Sequence, residues 1–266
     1  MTKADTLRLR DVRDAYRLIG ECRDLGGDPT LWRRHMLAGA QRLFGATQVA
    51  GGEGQLCGPT GPIRALSAFD VTDDPVVHAA FVAYHRAAGP ADDPYWRALA
   101  RVPGHLITLA RRQLVADGDW FRSHSYQAFR EPGRIQHELS SVMALSAEGG
   151  MSIISLNRIV GEADFSAREQ SLFHFFHGEL GRLIGGALAS AAEPAPDSLS
   201  PRLRQTLRCL VEGDSEKQIA ARLGLSQATV HQYVKMLYGR FGVRSRAQLL
   251  AHVLKRVRRE RWRGFV

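Results

Sequence analysis

One short segment near the C-terminus gathers side chains that can donate hydrogen bonds. Thr229, His231, Gln232 and Lys235 are all of this kind, and none is bulky enough to keep a helix out of a DNA groove. The apolar residues among and after them recur at four-, three- and four-residue steps: Val230, Val234, Leu237 and Phe241. This spacing predicts a helix with one buried face. The donor side chains would then form an opposite face suited to the major groove.

Start and stop signals for two further helices precede this segment. Serines that can cap a helix alternate with glycines that can adopt a left-handed conformation, in the chain order Ser200, Gly213, Ser215, Gly224 and Ser226. Ser215 is followed three residues later by Gln218, which is the spacing of a capping box. Two short helices joined by a glycine-containing turn predict a helix-turn-helix.

Four stretches of this region resemble the LuxR/NarL-type C-terminal domain in order and spacing. They are Leu199-Ser200-Pro201-Arg202, Ile219-Ala220-Ala221-Arg222-Leu223-Gly224-Leu225-Ser226, Thr229-Val230 and Gly242-Val243-Arg244-Ser245-Arg246. The resemblance covers about residues 199–257. It implies a four-helix DNA-binding domain whose fourth helix, about 246–257, often makes a dimer contact.

The same resemblance implies roles for particular residues. Contacts from the recognition helix would come from His231, Gln232, Tyr233 and Lys235, in addition to Thr229 from the helix pattern, and phosphate contacts from Arg240 and Arg244. The family usually has Lys where this chain has His231, which leaves the base preference open. A helix-turn-helix used only for protein contacts is the alternative.

The positive charge of the chain is concentrated in the same region. Residues 197–266 hold 15 of the 36 Lys and Arg residues and 5 of the 27 Asp and Glu residues, a net charge of +10. The first 196 residues therefore carry a net charge of −1. Such asymmetry is typical of a polyanion-binding module beside a neutral one, because phosphate neutralisation releases counterions.

A stretch rich in Pro, Ala and Ser separates the two parts and predicts a linker at about 191–198. We expect a sensor or ligand-binding domain over 1–190 and a DNA-binding domain with a basic tail over 199–266. Lys3 is the only lysine before Lys217. A phosphoacceptor receiver domain, a P-loop and a Schiff-base lysine are therefore excluded from the N-terminal part.

The first 190 residues mix helical and strand patterns. The predicted elements are a helix over 30–44 ending at Gly45, a glycine-broken strand or hairpin over 47–56, a helix over 74–88, strands over 135–145 and 151–159, and a helix from the capping box at Ser166 to about residue 189. The predicted fold is an α+β N-terminal sensor-like domain, an antiparallel sheet with flanking helices, followed by an all-α four-helix LuxR-type helix-turn-helix domain.

The N-terminal part resembles a GAF- or PAS-like sensor domain, most clearly at Asp164-Phe165-Ser166-Ala167-Arg168-Glu169 before the last helix. This resemblance implies a pocket between the sheet and its flanking helices that holds a small molecule. Aromatic rings with a polar handle suit such a site, and the candidates are Trp120, Phe121, Tyr126, Phe129 and His137. Core packing of the same residues is the alternative.

Two other interpretations stay open. Tyr84, Asp93 and Trp96 are similar in type, though not in spacing, to residues that hold an acyl-homoserine lactone in quorum-sensing regulators of the LuxR family. A metal protein or enzyme could use His174 and His177, three apart on one helix, with His137, but no carboxylate or cysteine has matching spacing.

Bulk properties agree with a folded DNA-binding regulator. The chain has 266 residues and three widely spaced cysteines, and it contains no apolar run of roughly 18 residues that could cross a bilayer. We expect a cytoplasmic homodimer, with double-stranded DNA and a small molecule as partners, with no cofactor, no metal and no enzymatic activity. The N-terminal domain would control the DNA-binding domain through a signal.

Overall fold

The computed structural model describes residues 6–56, 63–87, 93–145, 149–191, 199–241, 243–251 and 253. The chain divides into two compact units, Met1–Ala191 and Ala192–Val266. Of the predicted linker over 191–198, only residue 191 falls within the described residues, and the basic tail from residue 254 onward lies outside them.

A five-stranded antiparallel sheet forms the centre of the N-terminal unit. Its strands are β1 (Gln48–Leu56), β2 (Ile63–Val71), β3 (Leu106–Ala110), β4 (Ile135–Ala144) and β5 (Gly150–Ile159), in the order β2-β1-β5-β4-β3. Neighbouring strands are antiparallel throughout. A register shift between Glu53 and Gly54 marks an irregularity in the pairing of β1 with β2.

The α-helices of this unit, within the residues that the structure describes, are α1 (Leu9–Asp24), α2 (Pro29–Phe44), α3 (Pro75–Ala87), α4 (Pro94–Leu99), α5 (Asp117–Phe121) and α6 (Ala167–Gly181). A π-helical segment, Tyr126–Arg130, follows α5. The helices α1, α2 and α6 cover one face of the sheet and bury its main apolar core with Val49, Ile154 and Leu156. Residues from α3, α4 and the segment after α5 form a smaller aromatic cluster toward the opposite face.

Local signals explain where the helices begin and end. The carboxylate of Asp28 accepts hydrogen bonds from the backbone of the first turn of α2, and Gly45 ends that helix at φ 55°. Ser166 caps α6 with the predicted box to Glu169. The predicted end of this helix near residue 189 is wrong, because α6 ends at Gly181 and residues beyond it turn through Gly185 at φ 77°.

Buried contacts tie the last residues of the N-terminal unit to its core. Arg33 on α2 and Glu53 on β1 form an ion pair in which both side chains are almost fully buried. The carboxylate of Glu53 also accepts hydrogen bonds from the Ser190 hydroxyl and, at 3.0 Å, from the Ala191 amide. Since this carboxylate belongs to the sheet, the exit of the chain from the unit depends on the position of β1.

The C-terminal unit is all-α in the part that the structure describes. It contains α7 (Pro201–Glu212), α8 (Glu216–Leu223) and α9 (Gln227–Phe241), and residues 246–251 are helical as well. Ser200 and Ser215 cap α7 and α8, and Gly213 and Gly224 end them at φ 102° and 65°. The predicted starts and stops of these helices are confirmed.

The fold class is as the sequence predicts: an antiparallel sheet with helices, then a helical unit. The elements that the sequence pattern did not indicate are α1, α4, α5, β2 and β3. The stretch 47–56 is a single strand rather than a hairpin. Within the described residues, no helix has both the length and the apolar character needed to cross a lipid bilayer.

A buried histidine links α6 to the sheet. The Nδ1 atom of His177 lies 2.7 Å from the Ser141 hydroxyl, and its Nε2 atom lies 2.9 Å from the Ser152 hydroxyl. Burial, with a smaller effect from His174, lowers the pKa of His177 to about 3. The imidazole therefore stays neutral and serves as both donor and acceptor between two hydroxyl groups.

We predict that acid destabilises the N-terminal unit through this residue. The unfolded chain binds the His177 proton near the ordinary pKa of about 6.5, whereas the folded unit binds it only near pH 3, so stability is lost as pH falls through this window. At pH 5 the expected loss is about 2 kcal/mol in the free energy of unfolding. Urea unfolding followed by tryptophan fluorescence measures it, since Trp32, Trp96 and Trp120 lie in this unit.

His177→Gln should remove this component of the pH dependence. His174→Gln, one turn earlier on the same helix, is the matched control and should keep it. Identical pH slopes in the wild type and His177→Gln would contradict the prediction.

Candidate functional site

The donor side chains that the sequence predicts for recognition lie on α9. Val230, Val234, Leu237 and Phe241 are buried against α7 and α8, as the period predicts. His231, Gln232 and Lys235 are exposed on the remaining surface of the helix. The structure therefore brings three of the four predicted donors together on one solvent-facing side, whereas Thr229 is half-buried.

The exposed donors differ in how far they are already engaged. Gln232 and Lys235 make no side-chain hydrogen bond with any residue that the structure describes, so their donors are available to a partner. The Nδ1 atom of His231 lies 3.1 Å from the carboxylate of Glu216 at the start of α8. Its second ring nitrogen is left for a contact with a partner.

Most of the other residues predicted to contact DNA already interact with neighbouring residues of the same unit. The Thr229 hydroxyl lies 2.8 Å from the Ser226 hydroxyl within the cap of α9, and Tyr233 is half-buried against the core. Arg244 is exposed, with its backbone amide donating to Gln248. The side chain of Arg240 lies outside the described part of the structure.

Two arginines of this unit make contacts that hold its helices together. Arg222 on α8 pairs with Glu212 and, at 2.9 Å, with Asp214. Arg246 donates to the backbone carbonyls of Asp214 and Leu210 at 2.8 and 2.9 Å. Their structural role was not visible in the sequence, where all arginines of the region add equally to the positive charge.

A cavity lies on the face of the sheet opposite α1 and α2. It lies between the sheet and the layer formed by α3, α4 and the π-helical segment and opens to solvent, and about 840 Å³ there, open solvent included, is free of protein atoms. Small side chains of the sheet, such as Ala50, Gly52 and Ala68, line one wall, and the rings of Phe81, Trp96 and Phe129 line another. An apolar molecule of modest size fits such a space.

A buried charge cluster closes one end of the cavity. Arg130 donates to the carboxylates of Asp93 at 3.1 Å and Glu138 at 3.3 Å, and its guanidinium lies 4.2 Å from the ring centre of Tyr84. Burial alone lowers the pKa of Arg130, but the two carboxylates outweigh this effect and raise it above its ordinary value. The cation therefore remains charged.

The structure brings only part of the predicted ligand set to this cavity. Among the five candidates, Phe129 lines it. Trp120 is buried and Tyr126 packs beside it in the aromatic cluster, while Phe121 is 37% exposed. His137 lies in a separate small crevice, 3.4 Å from Asp164. Trp120 and Tyr126 therefore pack within the aromatic cluster, in agreement with the alternative that these candidates are core residues.

Sequence reasoning missed most of the cavity wall. Glycines and alanines on β1 and β2, together with charged residues in a buried region, make the space and its polar end. Tyr84 and Trp96, named only for the acyl-homoserine-lactone alternative, do line the cavity, and Asp93 accepts a hydrogen bond from Tyr84 at 3.3 Å. The cluster of small residues on β1 was the sequence feature that could have indicated a cavity beside the sheet.

The three histidines of the metal hypothesis are spread over different contacts. His177 bonds Ser141 and Ser152, His174 lies 3.1 Å from the Thr108 hydroxyl, and His137 faces Asp164. Among the described residues, no group of three or more His, Cys, Asp or Glu side chains is placed to hold a metal ion.

Comparison with known proteins identifies the C-terminal region. Residues 197–253 match the family described as bacterial regulatory proteins, luxR family. These residues therefore form a LuxR-type helix-turn-helix domain, as the sequence predicts.

Three curated relatives are transcriptional regulators. The probable HTH-type transcriptional regulator GfsR of Streptomyces halstedii is 37% identical over 67 residues, 25% of this chain and 28% of that protein. The probable transcriptional regulatory protein SgaR of Hyphomicrobium methylovorum is 44% identical over 55 residues, 21% and 26% of the two chains. The transcriptional regulatory protein MctR of Rhizobium johnstonii is 30% identical over 115 residues, 43% and 51%. The chain thus spans from about a quarter to about half the length of the relatives it matches.

Two solved structures of SdiA are also similar over most of the chain. Escherichia coli SdiA is 15% identical, with a TM-score of 0.40 and coverage of 84% of this chain and 88% of that one. SdiA in complex with octanoyl-rac-glycerol is 15% identical, with a TM-score of 0.42 and coverage of 92% of both chains.

We predict that Arg130→Ala strongly destabilises the N-terminal unit. The substitution leaves Asp93 and Glu138 buried without their cation, for which the expected loss in free energy of unfolding is about 3–5 kcal/mol. Arg122→Ala is the control, because Arg122 pairs with Asp119 on the surface, where both side chains are largely exposed. Urea unfolding measures both variants, and an equally small loss in each would contradict a structural role for the cluster.

Proposed function

We propose that this protein is a sequence-specific, DNA-binding transcriptional regulator that acts as a homodimer. The observation that carries the proposal is the exposed face of α9, where Gln232, Lys235 and one nitrogen of His231 are available on a LuxR-type helix-turn-helix domain. Two such helices, related by a two-fold axis, would contact two half-sites of a symmetric DNA site.

The charge distribution supports the same proposal. Residues 197–266 carry a net charge of +10, which favours binding to phosphates of any sequence. Contacts to base edges from α9 then select among sequences. Thr229, His231, Gln232 and Tyr233 are the candidates for base contacts, and Lys235, Arg240 and Arg244 are the candidates for phosphate contacts.

We further propose that the cavity of the N-terminal unit senses a small molecule. Backbone of Gly52, Glu53 and Gly54 on β1 lines the cavity, and the side chain of Glu53 holds Ser190 and Ala191 at the end of the unit. A ligand that prefers one position of β1 would therefore also bias the start of the linker. The GAF- or PAS-like assignment of this unit stays a prediction.

A quorum-sensing regulator that binds an acyl-homoserine lactone is the second candidate. The observation that favours it is the convergence of Tyr84, Asp93 and Trp96 at one end of the cavity. Thermal unfolding of the full chain with acyl-homoserine lactones of increasing chain length tests this candidate, because a ligand that binds only the folded state raises the midpoint. No shift with any member of the series would argue against it.

We predict that substitutions of base-contacting and phosphate-contacting residues on α9 have different effects on DNA affinity. Gln232→Ala or Tyr233→Ala should weaken binding to the preferred site by about 1–3 kcal/mol and relax preference at one base pair. Lys235→Ala should weaken all sequences about equally and lower the slope of log affinity against log salt by roughly one. Titrations of labelled DNA at several salt concentrations measure both effects, and uniform effects from all variants would contradict the division.

Selection from a random-sequence DNA pool tests the proposed function as a whole. The full-length protein and a variant with His231, Gln232 and Lys235 changed to Ala are compared at two salt concentrations. Recovery of a two-fold symmetric site by the wild type, lost in the variant, is the expected result. Salt-sensitive binding without a sequence motif, retained in the variant, would instead favour a domain used for protein contacts.

A further inference from the structure

A chain of polar side chains runs along the cavity-facing side of the sheet. The Nδ1 atom of His78 lies 3.0 Å from the carboxylate of Asp70 on β2. The same carboxylate accepts a hydrogen bond of 2.9 Å from the side-chain amide of Gln48 on β1. The Asn157 amide on β5 in turn donates to the side-chain oxygen of Gln48 at 2.9 Å.

The carboxylate at one end determines the orientation of both amides. The oxygens of Asp70 only accept hydrogen bonds, so Gln48 must turn its NH2 group toward them. The side-chain oxygen of Gln48 then faces Asn157, and Asn157 must donate a hydrogen bond to it from its own NH2 group. The atom left over at the end of the chain is the Oδ1 oxygen of Asn157, an acceptor.

This oxygen is buried and lacks a hydrogen-bond partner among the residues that the structure describes. Asn157 is directly paired with Gln48 across the strands, and both line the cavity. The neighbouring residues Leu156 and Ile154 point to the other side of the sheet, where they are buried in the main core. Alternation along the strand therefore directs the Asn157 side chain toward the cavity.

Other polar groups along this wall already have partners. The Ser155 hydroxyl is 2.8 Å from the Ser140 hydroxyl, and Glu138, opposite Asn157 on β4, pairs with Arg130. The same wall also carries apolar side chains, among them Ala50 on β1 and, four residues before Asn157 on β5, Ile153. A buried acceptor without a partner is costly, so a donor brought by a bound molecule is favourable there.

We infer that Asn157 is a specificity-determining residue whose Oδ1 oxygen accepts a hydrogen bond from the cavity's ligand. The ligand is a small molecule with an apolar body and an N–H or O–H donor. This inference rests on the proposed function in one respect, that the cavity binds a ligand. It adds which hydrogen-bonding group the ligand must carry. Asp70 and Gln48 orient the Asn157 amide so that its oxygen faces the cavity as an acceptor, and molecules without a donor therefore bind less tightly.

Two probes of nearly identical shape test the inference directly. Decanamide has an NH2 group where methyl nonyl ketone has a methyl group, and both share the same apolar chain and carbonyl. Calorimetric titration of the full-length protein with each probe should show decanamide binding roughly three- to tenfold more tightly. The ratio of the two affinities within one protein is the readout, so a general loss of stability does not mimic the effect.

Asn157→Leu removes the acceptor at similar side-chain size and should bring the ratio to about one. Asp70→Asn should lower the ratio as well, because an amide at that position no longer forces the orientation of Gln48 and Asn157. Asp73→Asn is the matched control, since Asp73 is exposed on the connection that follows β2 and should keep the wild-type ratio. If Asn157→Leu does not fold, the affinity ratio measured for Asp70→Asn tests the inference instead.

Equal affinities in the wild type would overturn the inference and indicate that water occupies the acceptor. A preference for decanamide that persists in both Asn157→Leu and Asp70→Asn would also overturn it. Failure of both probes to bind would rule out this class of ligand. None of these outcomes bears on DNA binding, which the selection experiment measures separately.

Discussion

The N-terminal unit depends on the buried guanidinium of Arg130, which joins its sheet to its helical layer. Arg130 joins Glu138 on β4, Asp93 at the start of α4 and the ring of Tyr84 on α3. Because either carboxylate would be costly to bury alone, the helical layer and the sheet must be placed together around the guanidinium. The cavity is the space that this arrangement leaves beside the cluster, and its shape therefore follows from the position of Arg130.

The two faces of the sheet are used differently. Large apolar side chains such as Phe173 and Phe176 of α6 fill one face completely, so that side gives the unit its stability. The other face carries small residues on β1 and β2, which leave volume unfilled, and a row of amides and carboxylates that must be satisfied. A sheet of this kind pairs a rigid support with a site where a ligand can complete the packing and the hydrogen bonds.

The C-terminal unit is organised by local signals to a much greater degree. Serine caps and left-handed glycines define its helices, and a four-three-four apolar period buries one side of α9. Once that side is buried, the polar residues of the helix have only the solvent face available. Ser190 and Ala191 are the last residues of the N-terminal unit before the second unit, and hydrogen bonds to the carboxylate of Glu53 hold them beside the sheet.

The sequence by itself determined the features that repeat over short distances. Helix periods, the caps at Ser166, Ser200 and Ser215, the stops at Gly45 and Gly224, and the positive charge after residue 197 could all be predicted, because neighbouring residues produce them. The sequence resemblance implied a pocket beside the sheet, but its polar residues could not be predicted, since Asn157, Gln48 and Asp70 meet only after β5, β1 and β2 pair. The length of α6 and the partners of Arg130 and Arg246 depend in the same way on residues distant in the chain. Burial and charge pairing are properties of the assembled fold, and only the tertiary structure decided them.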